Sequence, residues 1–355
     1  MRVGSYIRSR KSRVSARASS RRDARFRGAA GAGFALFVPR ASARGRLRFA
    51  MASYYQRITV LLNPRAGKQD ATLARQVADA FRAAGAEVDV RLAKGPALAR
   101  EAADAVRRGS DVVVAGGGDG TVSTAAGALA GTGVPLGVLP LGTLNHFAKD
   151  LGIPLDLGDA ARVIVAGRTQ TVDVGEVNGR LFVNNASVGM YARLIAERAA
   201  MQRIGRGKWV AHGLATLRVF RRYQRLRVEV RTATDDAGRS DEVGRTVVRT
   251  PFVFVGNNAY QLSGLELGGR KDLTGGRLQV CMAPGMSRGG VAKMIIAAVF
   301  ADICTLEGFE SFTASAVGLD ARVGRLQASI DGEPVTLDNP LTFRSRPQAL
   351  RVIVP

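Results

Sequence analysis

Cysteine and histidine are scarce in this 355-residue chain, with two of each. Cys281 and Cys304 alone exclude a disulfide scaffold and a cysteine-ligated zinc site, and such low cysteine use fits a reducing compartment such as the cytoplasm. His146 and His212 exclude a histidine-rich metal centre and leave a Ser-His-Asp hydrolase two candidate bases. Long apolar runs are also missing. No stretch of about 18 apolar residues occurs, so nothing reads as a membrane-spanning helix. The nearest, 291–306, is interrupted by Lys293 and Asp302 and reads as a buried helix. Acid is nearly absent from the start of the chain: residues 1–50 hold 14 Lys+Arg against Asp23 alone.

That imbalance qualifies the net charge of +23. The first fifty residues carry +13 of it and the remaining 305 only +10, so the folded part is moderately basic and does not read as a nucleic-acid binder. Segment 1–50 has no helical or strand period and is expected to be a disordered basic extension. Three readings of it stand open: a twin-arginine export signal around Arg21-Arg22, an Arg/Ser-rich presequence or tail, and sequence upstream of a true start at Met51.

What is plentiful is glycine, 42 residues, which points to tight turns and backbone-lined sites. Short runs at 58–62, 111–115 (β-branched) and 135–139 and the alternating stretch 88–92 read as strands, and helical spacing over 71–84, 97–108 and 121–129 fills the gaps. Strands alternating with helices imply a parallel sheet with right-handed crossovers, an α/β N-terminal domain over 56–166. Beyond a boundary near Gly167 the rhythm changes. Strands are expected at 171–177, 180–186, 226–231, 247–255, 277–282, 326–330 and 350–354, with helices near 190–223 and 289–304. This is a mostly antiparallel β domain over 167–355.

Three glycine-bearing loops follow strands of the parallel sheet. Gly116-Gly117-Gly118-Asp119-Gly120-Thr121 opens a helix, so backbone N–H groups and the positive helix end converge where a phosphate could sit. Asp119 would oppose a bare anion there and makes sense as a Mg²⁺ holder between protein and phosphates. Asn63–Lys68 and Pro140–Asn145 lie at the same end of the sheet, where open parallel sheets bind ligands. The pattern is neither a Walker A loop nor a dinucleotide fingerprint, since 134–139 carries no acid.

Asn63-Pro64-x-x-Gly67-Lys68, Gly117-Gly118-Asp119-Gly120-Thr121 and Pro140-x-Gly142-Thr143-x-Asn145-x-Phe147-Ala148 occur in that order, followed by 182–189, Gly256-Asn257 and Asp331-Gly332-Glu333. This set resembles the catalytic region of the diacylglycerol kinase / sphingosine kinase superfamily in its soluble bacterial lipid-kinase form, over about 56–354. The Gly-Gly-Asp-Gly turn alone is shared with NAD kinases and phosphofructokinases. The resemblance implies a kinase-like α/β domain joined to a β-sandwich and ATP-dependent phosphorylation of a lipid hydroxyl, diacylglycerol first. It implies nucleotide contacts from Asn63, Gly67, Lys68, Gly116–Thr121, Gly142, Thr143 and Asn145. It implies a base at Glu333, with Asp119 and Asp331 beside it and metal contacts from Asp119, Asp331 and Asp272.

Three positions depart from the family pattern. His146 stands where Asp is usual, Gly275 where an Asp binds a structural Mg²⁺, and Ala66 where Ser is common; Asp272 is the neighbour able to substitute for Gly275. Two other readings remain beside the lipid kinase: an NAD kinase-like enzyme, against which the chain has no Asn-Glu dipeptide, and a nucleotide-binding regulatory protein with weak catalysis. Segment 198–227 carries nine Lys+Arg, no acid, and interleaved Trp209, Phe220 and Tyr223. That pattern suits an anionic membrane surface, with the protein cytoplasmic and peripherally attached. His212 within it reads as structural. An oligomer is compatible with the sequence.

Overall fold

Strand and helix alternate from the first described residue of the N-terminal half. The computed structural model describes residues 55–64, 69–190, 192–193, 226–233, 244–260, 269–270, 272–287, 289–290 and 309–355. The extension 1–50, Gly67, Lys68, Ala66 and nearly all of the basic segment 198–227 therefore lie outside the described residues.

The order is β1 (Ile58–Leu62), α1 (Gln69–Ala84), β2 (Val88–Leu92), α2 (Pro96–Arg107), β3 (Val112–Gly117), α3 (Asp119–Leu129), β4 (Leu136–Pro140), α4 (His146–Asp150) and α5 (Leu157–Ala166). The strands pair in parallel in the order β2-β1-β3-β4. β1, β3 and β4 are buried along their whole length. That is why they read as continuous β-branched and aliphatic runs rather than alternating ones: helices cover both faces of a parallel sheet. Pro96 opens α2, where its missing N–H costs nothing, and Leu98, Ala102 and Ala105 face inward at helical spacing. Gly167, at the expected boundary, closes α5 in the left-handed region with φ 72°.

Strands dominate the described residues of the second half; Met190, Ala192, Arg193, Gly289 and Gly290 are helical, and the rest of the expected helices near 190–223 and 289–304 lies outside the described residues. β5 (Thr169–Val177), β6 (Arg180–Phe182), β7 (Asn185–Gly189), β8 (Leu226–Ala233), β9 (Gly244–Thr250), β10 (Phe252–Asn257), β11 (Leu278–Met282), β12 (Glu310–Ala314), β13 (Ala316–Asp320), β14 (Arg325–Ile330), β15 (Glu333–Asp338) and β16 (Leu341–Ile353) follow in order. One sheet runs β12-β11-β10-β7-β14-β15 and is antiparallel throughout. The other continues from β4 through β16, β13, β8 and β9, with β5 attached to β16 and β6 to β5. Phe182, Val188, Val230, Val280, Val317 and Phe343 meet between the two as the sandwich core. β16 joins the halves: its first residues pair with β13, and Val352 pairs in parallel with Leu136 of β4.

An α/β parallel sheet followed by an antiparallel sandwich is what the pattern implied, but several elements differ. The expected strand 180–186 breaks between β6 and β7, because the backbone of Val183 and Asn184 turns to other partners. The expected strand 247–255 is two strands in different sheets, separated at Pro251, which has no N–H for a ladder. β12, β13 and β15 carried no pattern strong enough to read, and 350–354 is only the end of the 13-residue β16. Cys281 is fully buried in β11. The other cysteine of the sequence, Cys304, lies outside the described residues.

Candidate active site

The three loops meet at the carboxyl ends of β1, β3 and β4, beside the point where strand order reverses. Asn63 donates its backbone N–H to Gly116 O at 3.1 Å and its side-chain amide to Thr121 Oγ1 at 3.0 Å. The first loop is thereby fastened to the second. Gly116 and Gly117 end β3, and Gly118 is the extended N-cap of α3, with no side chain capping the helix. Thr121 N–H donates to Gly118 O at 2.9 Å, and Asp119 and Gly120, with no N–H partner among the described residues, keep theirs and the positive end of the helix dipole for an external anion.

The third loop is closed on itself by Asn145. Its Oδ1 accepts the Gly142 N–H at 3.0 Å, while its Nδ2 donates to Pro140 O at 3.2 Å and Gly142 O at 3.1 Å. Asn145 is buried and holds φ 52° to do this. The structure thus places Asn145 as the frame of the loop, while Thr143 at its tip is exposed. Gly142 packs directly on Gly118: a Cβ at Gly142 would fall on the Gly118 Cα. Leu141 N–H also donates to Gly117 O at 3.1 Å, so the second and third loops form one surface.

Asp119 sits at the seam. Its Oδ1 accepts the Phe147 N–H of α4 at 3.2 Å, and its other oxygen has no hydrogen-bond partner among the described residues. His146, beside Phe147, is exposed and makes no hydrogen bond among the described residues.

From the sandwich comes the β14–β15 hairpin, a two-residue turn with Asp331 at φ 46° and Gly332 at φ 81°, the twist a tight hairpin needs. The Asp331 carboxylate points inward. Oδ1 accepts the N–H groups of Asn184 and Asn185 at 2.8 and 2.9 Å. Oδ2 accepts Val183 N–H at 2.8 Å and the Ser123 hydroxyl of α3. Burial pushes its pKa above the ordinary carboxylate value, and these four donors oppose the rise. Both oxygens accept hydrogen bonds from the protein, and Asp331 ties α3 to the 183–185 backbone.

Glu333, two residues on, remains exposed and reaches across to the glycine turn. Its Oε1 lies 2.5 Å from the position a Cβ on Gly120 would take. A cavity of about 390 Å³ opens beside this contact, bordered by Gly120, Thr124 and Gly127 of α3, Arg180 and Leu181 of β6, and Glu333.

Asp272 is not part of this cluster. Its Oδ1 accepts both the N–H and the hydroxyl of Thr274 at 2.7 Å, bonds that hold its carboxyl below the usual value. Its Oδ2 and Asn258 Oδ1 flank Gly275, 3.3 and 3.2 Å from where a Cβ would stand. No group of three or more His, Cys, Asp or Glu side chains comes together among the described residues.

Arg270 is the residue that sequence reasoning missed. Its side chain is wholly buried, paired to Asp150 at 2.7 Å. A lone arginine among glycines carries no period, and its partner lies 120 residues away.

The family model described as "Diacylglycerol kinase catalytic domain" matches residues 57–177, and "YegS C-terminal NAD kinase beta sandwich-like domain" matches 184–354. The chain thus joins a diacylglycerol kinase catalytic domain to a YegS-type C-terminal domain. It is 36% identical over 147 residues to a protein of Klebsiella pneumoniae (strain 342) named "Probable lipid kinase YegS-like", covering 39% of this chain and 49% of that protein. A protein of the same name from Pseudomonas aeruginosa PAO1 is 40% identical over 142 residues, 39% of this chain and 46% of that one. The matched stretch thus spans about half the length of these curated relatives. A solved diacylglycerol kinase of Bacillus anthracis str. Sterne superposes with a TM-score of 0.60 at 16% identity, over 85% of this chain and 98% of that one. A second structure from the same organism gives 0.64 at 20%, over the same shares. At these identities the two structures support the fold.

Proposed function

We propose that this chain transfers the γ-phosphoryl group of ATP to a hydroxyl group of a lipid, with diacylglycerol as the substrate and phosphatidic acid as the product. The observation that carries the reading is the contact between Glu333 and Gly120, which sets an exposed carboxylate from the sandwich against an anion-binding turn of the α/β half. The turn Gly117–Thr121 and the tip of the third loop hold the triphosphate, with N–H donation from Asp119, Gly120 and Thr143. The lipid hydroxyl attacks the γ-phosphorus, forming one O–P bond as the bond to the ADP leaving oxygen breaks, and its proton passes to Glu333.

Mg²⁺ fits this arrangement through Asp119, whose second oxygen has no hydrogen-bond partner among the described residues. A single protein carboxylate plus substrate phosphates is a common way to hold Mg²⁺. When bound, the ion neutralises phosphate charge. Asp272 fits a separate position beside Asn258.

Lipid access is assigned to the basic segment 198–227, where each cation near an anionic bilayer contributes about 1 kcal/mol. No helix among the described residues is long and apolar enough to cross a membrane. Replacing Arg218, Arg221, Arg222 and Arg225 by Gln is expected to reduce co-sedimentation with anionic vesicles while nucleotide binding is retained; equal sedimentation would refute the assignment.

The substrate is tested by mass spectrometry of a total lipid extract incubated with the protein and Mg-ATP. The expected product is a lipid heavier by one phosphoryl group, phosphatidic acid foremost. Absence of any phosphorylated lipid, with conversion of NAD to NADP in a parallel incubation, would overturn the reading in favour of a small-molecule kinase.

A further inference from the structure

Arg270 uses all of its guanidinium nitrogens inside the protein. Nε and Nη2 both reach Asp150 Oδ2, at 2.8 and 2.7 Å, and its backbone N–H donates to Asp150 Oδ1 at 3.1 Å. Nη1 donates to Val183 O at 2.6 Å and Asn257 O at 3.0 Å, and Nη2 donates to Asn184 Oδ1 at 2.9 Å. The guanidinium lies over the rings of Phe147 and Tyr260, 6.0 and 5.6 Å from their centroids. Tyr260 donates its hydroxyl to Asn184 O at 3.0 Å.

These contacts fall on both sides of the candidate active site. Asp150 is the last residue of the five-residue α4, whose Phe147 N–H is held by Asp119. Val183 and Asn184 give their carbonyl and amide oxygens to Arg270 and their N–H groups to Asp331, the first residue of the turn that presents Glu333. Ser123 closes the ring back to α3, which begins at Asp119. Polar contacts and short backbone segments therefore connect Asp119 through α4, Asp150, Arg270, the 183–185 segment and Asp331 to Glu333.

We propose that Arg270, with Asp150, is a positioning residue that fixes Asp119 and Glu333 relative to each other across the site. It touches no reacting atom; it sets the geometry in which the base faces the phosphate turn. A lysine cannot replace it, because one ammonium cannot serve Asp150, Asn184 Oδ1 and two carbonyls at their separate positions. The inference rests on the kinase reading for its catalytic consequence, though not for its structural one.

The test uses two full-length variants and two readouts. In Arg270→Met combined with Asp150→Leu, an apolar pair of similar volume replaces the ions, a change that buried pairs often tolerate without loss of stability. Turnover is expected to fall by about 10²-fold, with KM for Mg-ATP changed by less than about threefold, the signature of lost alignment rather than lost binding. Hydrogen exchange at the Val183, Asn184, Asn185 and Phe147 amides is expected to quicken in the same variant. Arg270→Lys should lose turnover likewise, and it decides the matter should the double variant not fold. Wild-type turnover together with wild-type protection of those amides in either variant would overturn the proposal. A wild-type protein without lipid-dependent phosphoryl transfer would instead refute the kinase reading, and the exchange readout would then decide this one.

Discussion

Glu333→Gln is expected to lower turnover by about 10²–10⁴-fold, the usual contribution of a general base. Glutamine keeps the shape and the contact with Gly120 but does not take up the proton of an attacking alcohol. KM for ATP should stay within about threefold, because the triphosphate is held by loop backbone that the substitution leaves in place. Gly120→Ala is the companion variant. Its methyl group would stand 2.5 Å from Glu333 Oε1, so the flexible carboxylate must swing away, and turnover should fall while the base is still present. Steady-state kinetics with lipid and Mg-ATP separate these effects. A Glu333→Gln variant with full turnover would remove Glu333 from the chemistry.

Gly142→Ala should act on binding rather than on the proton. The new methyl group would fall on the Gly118 Cα, and Asn145 Oδ1 lies 2.7 Å away on the other side. Neither neighbour is the free end of a flexible chain: one is backbone, and the other is held by three hydrogen bonds. The phosphate-facing loops must part, at a cost of about 1–3 kcal/mol. A displacement near 1 Å in a set of positioned N–H donors weakens what they hold by about 10²-fold. Calorimetric titration with ATP and a thermal melt measure both. Gly324→Ala, where nothing stands within 4 Å of the new methyl, is the control expected to match the parent chain. Unchanged ATP affinity in Gly142→Ala would separate these loops from nucleotide binding.

The parallel half was legible because its inner strands are buried on both faces. Ile58–Leu62 falls where an apolar run does, while the edge strand Val88–Leu92, half-exposed, shows as an alternating pattern. The sandwich was legible only in outline. The breaks at Val183-Asn184 and Pro251 depend on distant partners: a carboxylate 148 residues away in the first case, and the split of one run between two sheets in the second. The glycine turns announced a site through composition. The direction of each side chain did not show. Asp331 and Glu333 are two acids in a three-residue motif, and only the φ values of the turn send one inward to four donors and leave the other exposed. Asn145 likewise stood in a binding motif, yet its amide is spent on its own loop. Arg270 had no motif at all, because a buried cation is recognised by its partners, and those come from both halves of the fold.

A crystal structure with a nonhydrolysable ATP analogue and Mg²⁺ tests the central claim most directly. The account predicts the triphosphate on the Gly117–Thr121 and Gly142–Thr143 backbone, with the Glu333 carboxylate facing the γ-phosphate. An analogue bound with its γ-phosphate turned away from Glu333, or seated elsewhere on the chain, would contradict it.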